Sequence, residues 1–320
     1  MKAVYAAAPN PDDPLAGLTI GDRPEPEVPD GWVAVNVKAA TLNMHDLFTL
    51  RGVGIRPEAF PMILGCDGAG TLDDGSEVVL HAVVSEDWAG DETLNPKRSI
   101  LTEVHQGTFA ERVIVPARNV LPKPEALSFG EAACMGTAWL TAYRMLFVKS
   151  GLRPGQTMLV QGASGGVATA LIALGRAAGM RVWATGRSEE KRALATAQGA
   201  DAVFESGARL PERVDGVFET VGGATWSHSV KALKPGGVIV ISGTTTGEPK
   251  AAELQRIFFL QLRVIGSTMG TRDELQDLLS FCAQQDIRPQ IGRELPLDQA
   301  EEGFRAMLDG ETAGKIVFTQ

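Results

Sequence analysis

Residues Thr157–Ala170, TMLVQGASGGVATA, carry the strongest signal in this chain. The first four, Thr157–Val160, form a short β-rich run that leads directly into a glycine turn. An apolar helical pattern opens at Val167, with Ala170, Leu171, Leu174 and Ala178 on one face. Gly162, Gly165 and Gly166 let the backbone turn tightly and come close to a ligand. The start of the helix then offers free N–H groups and a partial positive charge to a pyrophosphate. The bland alternative is a structural strand-to-helix turn with no ligand. Context favours the ligand: a second strand, Arg181–Thr185, arrives about 20 residues after the first glycine, as a βαβ dinucleotide unit requires.

From this point β-type runs recur at Ala202–Phe204, Val214–Glu219, Val238–Ser242 and Arg263–Thr268. Helical patterns lie between most of them, at Val167–Ala178, Glu189–Gln198, Ala224–Leu233 and Ala251–Leu260. This alternation specifies a doubly wound parallel sheet with helices on both faces, and six strands complete the dinucleotide-binding fold. The first 120 residues read differently: Pro and Gly are frequent, and short strands appear at Trp32–Lys38, Glu77–Val84 and Glu111–Val115. They form an irregular β-rich domain, and the tail adds a helix, Asp298–Leu308, and a strand, Lys315–Phe318.

A length of 320 residues exceeds one ordinary core and predicts two domains. Hydrophobic content of 44% and charged content of 22% fit a water-soluble globular chain. A net charge of −9 argues against nucleic acid or an anionic membrane as the main partner, so cofactor phosphates need a local basic site. Three dispersed cysteines, Cys66, Cys134 and Cys282, do not form a disulfide framework, and a reducing cytoplasm fits them best. The N-terminus lacks the apolar core of a signal peptide. The run Ala132–Val148, broken by Arg144, is short for a membrane span and reads as a buried helix.

Several segments together resemble the medium-chain dehydrogenase/reductase superfamily, and within it the zinc-independent quinone oxidoreductases and enoyl reductases. They are Leu42–Asp46 (LNMHD), Pro61–Gly70 (PMILGCDGAG), Gly107–Pro116 (GTFAERVIVP), Leu140–Tyr143 (LTAY), Gly162–Val167, Val221–Gly223 (VGG), Leu233–Gly237 (LKPGG) and Gly314–Val317 (GKIV). The resemblance covers nearly the whole chain. It implies an α/β protein in which a GroES-like β-rich catalytic domain (residues 1–135 and 271–320) carries an inserted Rossmann domain (residues 136–270), with the active cleft at their junction. It also implies cofactor contacts at Gly162, Ser164, Gly165, Gly166, Val167 and Gly243, a threonine near the nicotinamide at Thr141, and a cation near the cofactor phosphates at Lys315. Surface lysine and internally bonded threonine are the ordinary readings of the last two. Ala168 stands where relatives usually have a glycine for close helix–strand packing, which implies a small shift and retained binding.

NAD-preferring enzymes place an acid at the end of the second strand. Here that strand ends without one, and Arg187, Ser188 and Lys191 follow. They offer a planar cation, a hydroxyl and a point charge to a 2′-phosphate, so NADPH is the expected cofactor. The ordinary reading is a solvated basic helix start that tolerates either cofactor.

Zinc-dependent relatives bind catalytic zinc through Cys, then His of a Gly-His-Glu motif, then Cys or Asp. This chain has Asn43 at the first position, Cys66-Asp67 at the His-Glu pair and Gly136-Thr137 near the third, with Cys134 displaced. Three cysteines also rule out a four-cysteine structural zinc lobe. No metal is therefore expected, although His45, Cys66, Asp67 and His81 are plausible ligands for a new site. Without zinc, reduction of a conjugated acceptor, a quinone or an α,β-unsaturated carbonyl, needs the least assistance. Hydride adds at the β-carbon, and hydrogen-bond donors stabilise the charge on the carbonyl oxygen. Asn43 is a candidate donor and His45 a candidate acid or donor; Phe48 falls close to where some relatives have a tyrosine, so a phenol acid is missing there, and of Tyr5 and Tyr143 the latter is the better placed. Met44, Phe48, Met135, Trp139 and Met269 are either an apolar pocket or core. A zinc-type alcohol dehydrogenase and a non-catalytic NADPH-binding structural or sensor protein are the competing readings. The sixth strand is expected at the sheet edge, where Leu262, Val264 and Ile265 favour pairing into a homodimer.

Overall fold

The computed structural model describes residues 1–85, 88–311 and 313–320. The chain divides into two compact units, one formed by Met1–Ala138 and Gly270–Gln320, the other by Trp139–Met269. In the second unit, six parallel strands lie in the order Ala202–Glu205, Arg181–Gly186, Thr157–Val160, Val214–Glu219, Leu233–Ile241, Arg263–Gly266. This is the Rossmann order 3-2-1-4-5-6, and it reverses direction beside the glycine turn. Strand Thr157–Val160 is buried along its whole length, as a central parallel strand covered on both faces must be. Helix Gly166–Ala177 packs over it and over Arg181–Gly186, and Trp226–Ala232 packs over Val214–Glu219 and Leu233–Ile241. The close approach of the first helix is made at Gly175, where a Cβ would lie 2.6 Å from Met158 Sδ and 3.1 Å from Val182 Cγ2. Ala168 is buried in the first turn of the same helix.

Element limits depart from the sequence pattern where the backbone takes special conformations. The fifth strand starts early, at Leu233, because the ladder shifts register between Val214 and Gly216 and Gly236 takes a positive φ of 75°. The next helix covers only Leu254–Phe259, because Glu253 is left-handed and cannot continue it backwards. The sixth strand stops at Gly266, and Leu262 is buried in the core and so does not contribute to the exposed edge. The run Ala132–Val148 is a succession of short helical segments from Phe129–Ala133 to Arg144–Lys149. Among the described residues no helix is long and apolar enough to cross a membrane.

The first unit centres on the ten-residue strand Trp32–Thr41. It pairs with Arg112–Pro116 over its first half and with Asp67–Thr71 and Lys315–Thr319 toward its end. The C-terminal strand is thus the direct neighbour of an N-terminal one, with Val317 opposite Thr41. Phe109, Phe304 and Phe318 form the core behind it, the first and last meeting edge to face at 5.0 Å. The span expected as one strand, Glu77–Val84, is split into Glu77–Leu80 and Val83–Val84. Two helices had not been anticipated. Met44–Leu50 is a single short piece. Arg272–Gln285 is a 14-residue helix with a Thr271/Glu274 capping box and Leu275, Leu278, Leu279 and Cys282 on its buried face.

Candidate functional site

In the second unit the glycine turn is held from below by buried polar side chains. Gln161 accepts a hydrogen bond from Thr185 Oγ1 (2.6 Å) and donates to Ser229 Oγ (2.9 Å). Ser229 and Thr225 in turn donate to Glu219, at 2.6 and 2.9 Å. Glu219, wholly buried at the end of its strand, also accepts the N–H groups of Val221 and Gly222 (2.8 and 3.1 Å) and so shapes the VGG loop. Gly162 has φ of 80°, and a Cβ there would sit 3.1 Å from Val221 Cγ2. Helix Gly166–Ala177 starts at Gly165 with no side chain capping it, so its first N–H groups are left to an anion. Ser164 and Val167 are half-buried in the same turn. Gly243 lies in the loop after the fifth strand, against the Thr220 carbonyl. Thr141 is buried on Leu140–Tyr143, and the Tyr143 ring packs on Phe147 at 4.8 Å.

Past the second strand, Arg187 is exposed. The Ser188 hydroxyl accepts the Lys191 backbone N–H at 3.3 Å and caps helix Glu189–Ala197, leaving its own hydrogen to donate. Arg192 was missed by the sequence reading. Its Nη1 donates to the Gly186 carbonyl at 3.0 Å and its Nη2 lies 3.7 Å from Glu205, which adds a cation at the same strand end.

In the first unit, one buried ionic cluster gathers the candidates at 43, 66, 67 and 315. Lys315 is nearly inaccessible, and its Nζ contacts Asn43 Oδ1 (2.6 Å), the Leu42 carbonyl (3.0 Å) and Asp67 Oδ2 (3.3 Å). Asp67 Oδ2 also accepts from Thr41 Oγ1 (2.7 Å) and Asn43 Nδ2 (2.8 Å). This corrects two expectations. Lys315 is neither a surface cation nor available to cofactor phosphates, because its ammonium is the counter-ion of a buried carboxylate. Asn43 is not a free donor, because its amide hydrogens go to Asp67 and to the Thr41 carbonyl (3.2 Å).

Asp46 lies on the adjoining helix and accepts the N–H groups of Asn43 (2.9 Å) and Gly65 (2.8 Å). Burial pushes its carboxyl up to about 7 despite these bonds. His45 keeps a buried Nε2 with no hydrogen-bond partner, 3.8 Å from Glu103 Oε1. Burial lowers its pKa, and Glu103 and then Asp67 pull it back in part, so the ring is neutral near pH 7. Of the five candidate pocket residues, Met135, Trp139 and Met269 are core, Phe48 is half-buried and Met44 is exposed.

These donors do not suit zinc. Position 43 offers an amide already bonded on both ends. The Cys66 thiol is pushed well above its ordinary pKa by burial, then by Asp46 and Asp67, which opposes the thiolate that zinc requires. At Gly136 even a Cβ would come within 2.9 Å of Asp67 Oδ1, so no ligand fits there. Cys134 is bonded to the Gly130 carbonyl, and burial pushes its thiol up to about 12. His81 contacts the Gly270 carbonyl at 3.0 Å. The cation in the cluster is the chain's own ammonium.

Residues 29–125 match the alcohol dehydrogenase GroES-like domain family, and residues 166–284 match the zinc-binding dehydrogenase family. A solved structure of an NAD-dependent alcohol dehydrogenase superposes with a TM-score of 0.93 at 34% identity, covering 100% of both chains. The acryloyl-coenzyme A reductase of Sulfurisphaera tokodaii is 28% identical over 99% of each chain. The quinone oxidoreductase of Mus musculus is 27% identical over 89% of this chain and 88% of its own.

Asp46 makes stability depend on pH in a set direction. Its folded pKa lies above the ordinary value near 4, so its favourable contribution is complete below pH 4 and is lost as pH rises through about 7. The full swing is on the order of 4 kcal/mol. Asp46→Asn removes this titration. The urea midpoint of the wild type should fall more steeply than that of Asp46→Asn between pH 5 and 8. Parallel slopes would contradict the assignment.

Proposed function

This chain belongs to the medium-chain dehydrogenase/reductase superfamily of oxidoreductases, and we propose that it reduces a conjugated acceptor, a quinone or an α,β-unsaturated carbonyl, with NADPH and without zinc. One observation carries the zinc-independence: the Lys315 ammonium lies among Asn43, Leu42 and Asp67, where zinc-dependent relatives gather ligands. The named activities of the acryloyl-coenzyme A reductase and quinone oxidoreductase relatives support the acceptor class.

The glycine turn Gly162–Gly166, with the uncapped helix start behind it, suits a pyrophosphate. Gly243 and Thr141 are the proposed contacts to the rest of the cofactor. When bound, NADPH supplies the hydride. The remaining task of the chain is to stabilise charge on the acceptor's carbonyl oxygen. His45, neutral and with an unpartnered buried Nε2, is the proposed donor to that oxygen in its Nε2–H tautomer. Tyr143 is the second candidate. Asn43 becomes a positioning residue, because Lys315 and Asp67 hold it and its backbone N–H starts the helix that carries His45. The α-carbon is protonated from water.

The solved neighbour that uses NAD and oxidises alcohols favours a second reading, hydride exchange at a carbonyl carbon. Deuteride transfer from labelled NADPH to an enone separates the two. Deuterium at the β-carbon of a saturated ketone is expected; deuterium at the carbonyl carbon of an allylic alcohol would overturn the proposal. Preference for NADPH is assigned to Arg187, Ser188 and Lys191 at the end of the second strand. Each charge-assisted contact contributes about 1.5–3 kcal/mol, or roughly tenfold to a hundredfold in affinity. Arg187→Ala and Lys191→Ala should weaken NADPH binding by such factors and leave NADH nearly unchanged. Equal losses for both would remove these residues from the role.

The proposed assembly is a homodimer in the cytoplasm. The sixth strand, Arg263–Gly266, ladders with Leu233–Ile241 at the sheet edge, and Val264 is exposed. The preceding helix leaves Phe258 and Phe259 70% and 76% exposed. Pairing with a second copy closes the edge and covers these rings. Light scattering at micromolar concentration should give twice the chain mass, and Phe258→Lys with Phe259→Lys should return it to one. A wild-type monomer would rule the dimer out.

A further inference from the structure

His228, on helix Trp226–Ala232, uses both ring nitrogens, and one of them joins the network under the glycine turn. Its Nδ1 lies 2.9 Å from Gln161 Nε2, and its Nε2 lies 2.9 Å from the Ala208 carbonyl. We infer that His228 is a positioning residue for the nucleotide turn, acting through Gln161 and only in its Nε2–H tautomer. The inference rests on the reading that Gly162–Gly166 holds the cofactor pyrophosphate, and it adds a residue outside the turn on which cofactor affinity depends.

The direction of each hydrogen bond follows from Glu219. Its Oε1 accepts the N–H groups of Val221 and Gly222, and its Oε2 accepts the one hydrogen of Ser229 Oγ at 2.6 Å. Ser229 Oγ can therefore only accept at its contact with Gln161, so the atom that faces it at 2.9 Å is the amide nitrogen. The same nitrogen faces His228 Nδ1, which must then accept as well. The proton of the neutral ring sits on Nε2 and is donated to Ala208. In the other tautomer two donors would meet at Nδ1, and a bare nitrogen would face the carbonyl at Nε2. Turning the amide over instead would set Gln161 Oε1 against Ser229 Oγ, with no hydrogen left between them.

The other end of the amide reaches the turn. Gln161 Oε1 takes the hydrogen of Thr185 Oγ1 at 2.6 Å, which leaves that hydroxyl oxygen to accept the Gly162 N–H at 3.4 Å. The Thr185 carbonyl accepts the Ala163 N–H at 2.8 Å. Thr185 thus holds the first two residues of the turn, where Gly162 takes a φ of 80°. A turn fixed before its ligand arrives spares part of the ordering cost of binding. Hydrogen bonds that run one way along a chain also strengthen one another. The helix keeps the ring in place, because Trp226 and Val230 are core residues and Thr225 and Ser229 both bond to Glu219.

Isothermal titration of the full chain with NADPH is the test, on wild type, His228→Asn, His228→Leu, Gln161→Leu and the double variant Gln161→Leu/His228→Leu. Asn offers an acceptor oxygen at the place of Nδ1 and should bind within about twofold of wild type, whereas Leu offers none and should bind about tenfold more weakly. Because His228 acts through Gln161, the double variant should bind no more weakly than Gln161→Leu alone. Two-bond 15N–1H spectra of the wild type need no bound cofactor. They should show hydrogen on Nε2 of His228 and none on Nδ1, with its signals identified by their loss in His228→Asn. Wild-type affinity in His228→Leu, equal losses in the Asn and Leu variants, additive losses in the double variant, or a hydrogen on Nδ1 would each overturn the inference and leave the cofactor reading standing. A wild type that does not bind NADPH would overturn both.

Discussion

The buried ion pair between Lys315 and Asp67 is the constraint around which the first unit is organised. Taking both charges out of water costs several kcal/mol for each, and their attraction offsets this only with help from further donors and acceptors. Asn43 Oδ1 and the Leu42 carbonyl serve the ammonium, while Thr41 Oγ1 and Asn43 Nδ2 serve Asp67 Oδ2 and leave the buried Oδ1 without a partner. These partners come from the long strand Trp32–Thr41, the start of helix Met44–Leu50, strand Asp67–Thr71 and the C-terminal strand Lys315–Thr319. The cluster therefore pins the tail to the N-terminal strands from which 248 or more residues separate it. Removing one partner strands the other, at a cost of about 3–5 kcal/mol.

The same cluster sets the chemistry of its surroundings. A positive charge is already present among the side chains at 43, 66 and 67, and burial, then Asp46 and Asp67, keep the Cys66 thiol protonated. A divalent ion would have to displace the ammonium and deprotonate that thiol in a site with no room at Gly136. Asp46 and Asn43 hold the first turn of helix Met44–Leu50, and that turn carries His45. In its Nε2–H tautomer the neutral imidazole is a hydrogen-bond donor, and a conjugated acceptor requires no stronger electrophile.

Much of the second unit was legible in the sequence because its signals are local. Glycines at fixed offsets, strand-length apolar runs and helical periodicity specify the parallel sheet without reference to distant residues. The network beneath the glycine turn was not read, although Gln161, Thr185 and Glu219 each place a buried polar side chain at or just past the C-terminal end of a strand. The helix Arg272–Gln285 was also within reach, since Thr271 and Glu274 have capping-box spacing and Leu275, Leu278, Leu279 and Cys282 share a face. The pairing of Lys315 with Asp67 was not legible. Nothing local distinguishes a lysine after a glycine turn from a solvated one, and only the strand pairing of Val317 with Thr41 brings its ammonium to the carboxylate. Asn43 was marked by sequence position as a donor toward substrate, and the same pairing turns it inward.

The central claim is that Lys315 replaces a metal ion as the cation of this site. Metal content per chain, measured by elemental analysis on protein purified without chelator and active toward an enone, tests it most directly. The account predicts activity with far less than one zinc per chain. One tightly held zinc per chain, with activity lost on its removal and restored on its return, would contradict it.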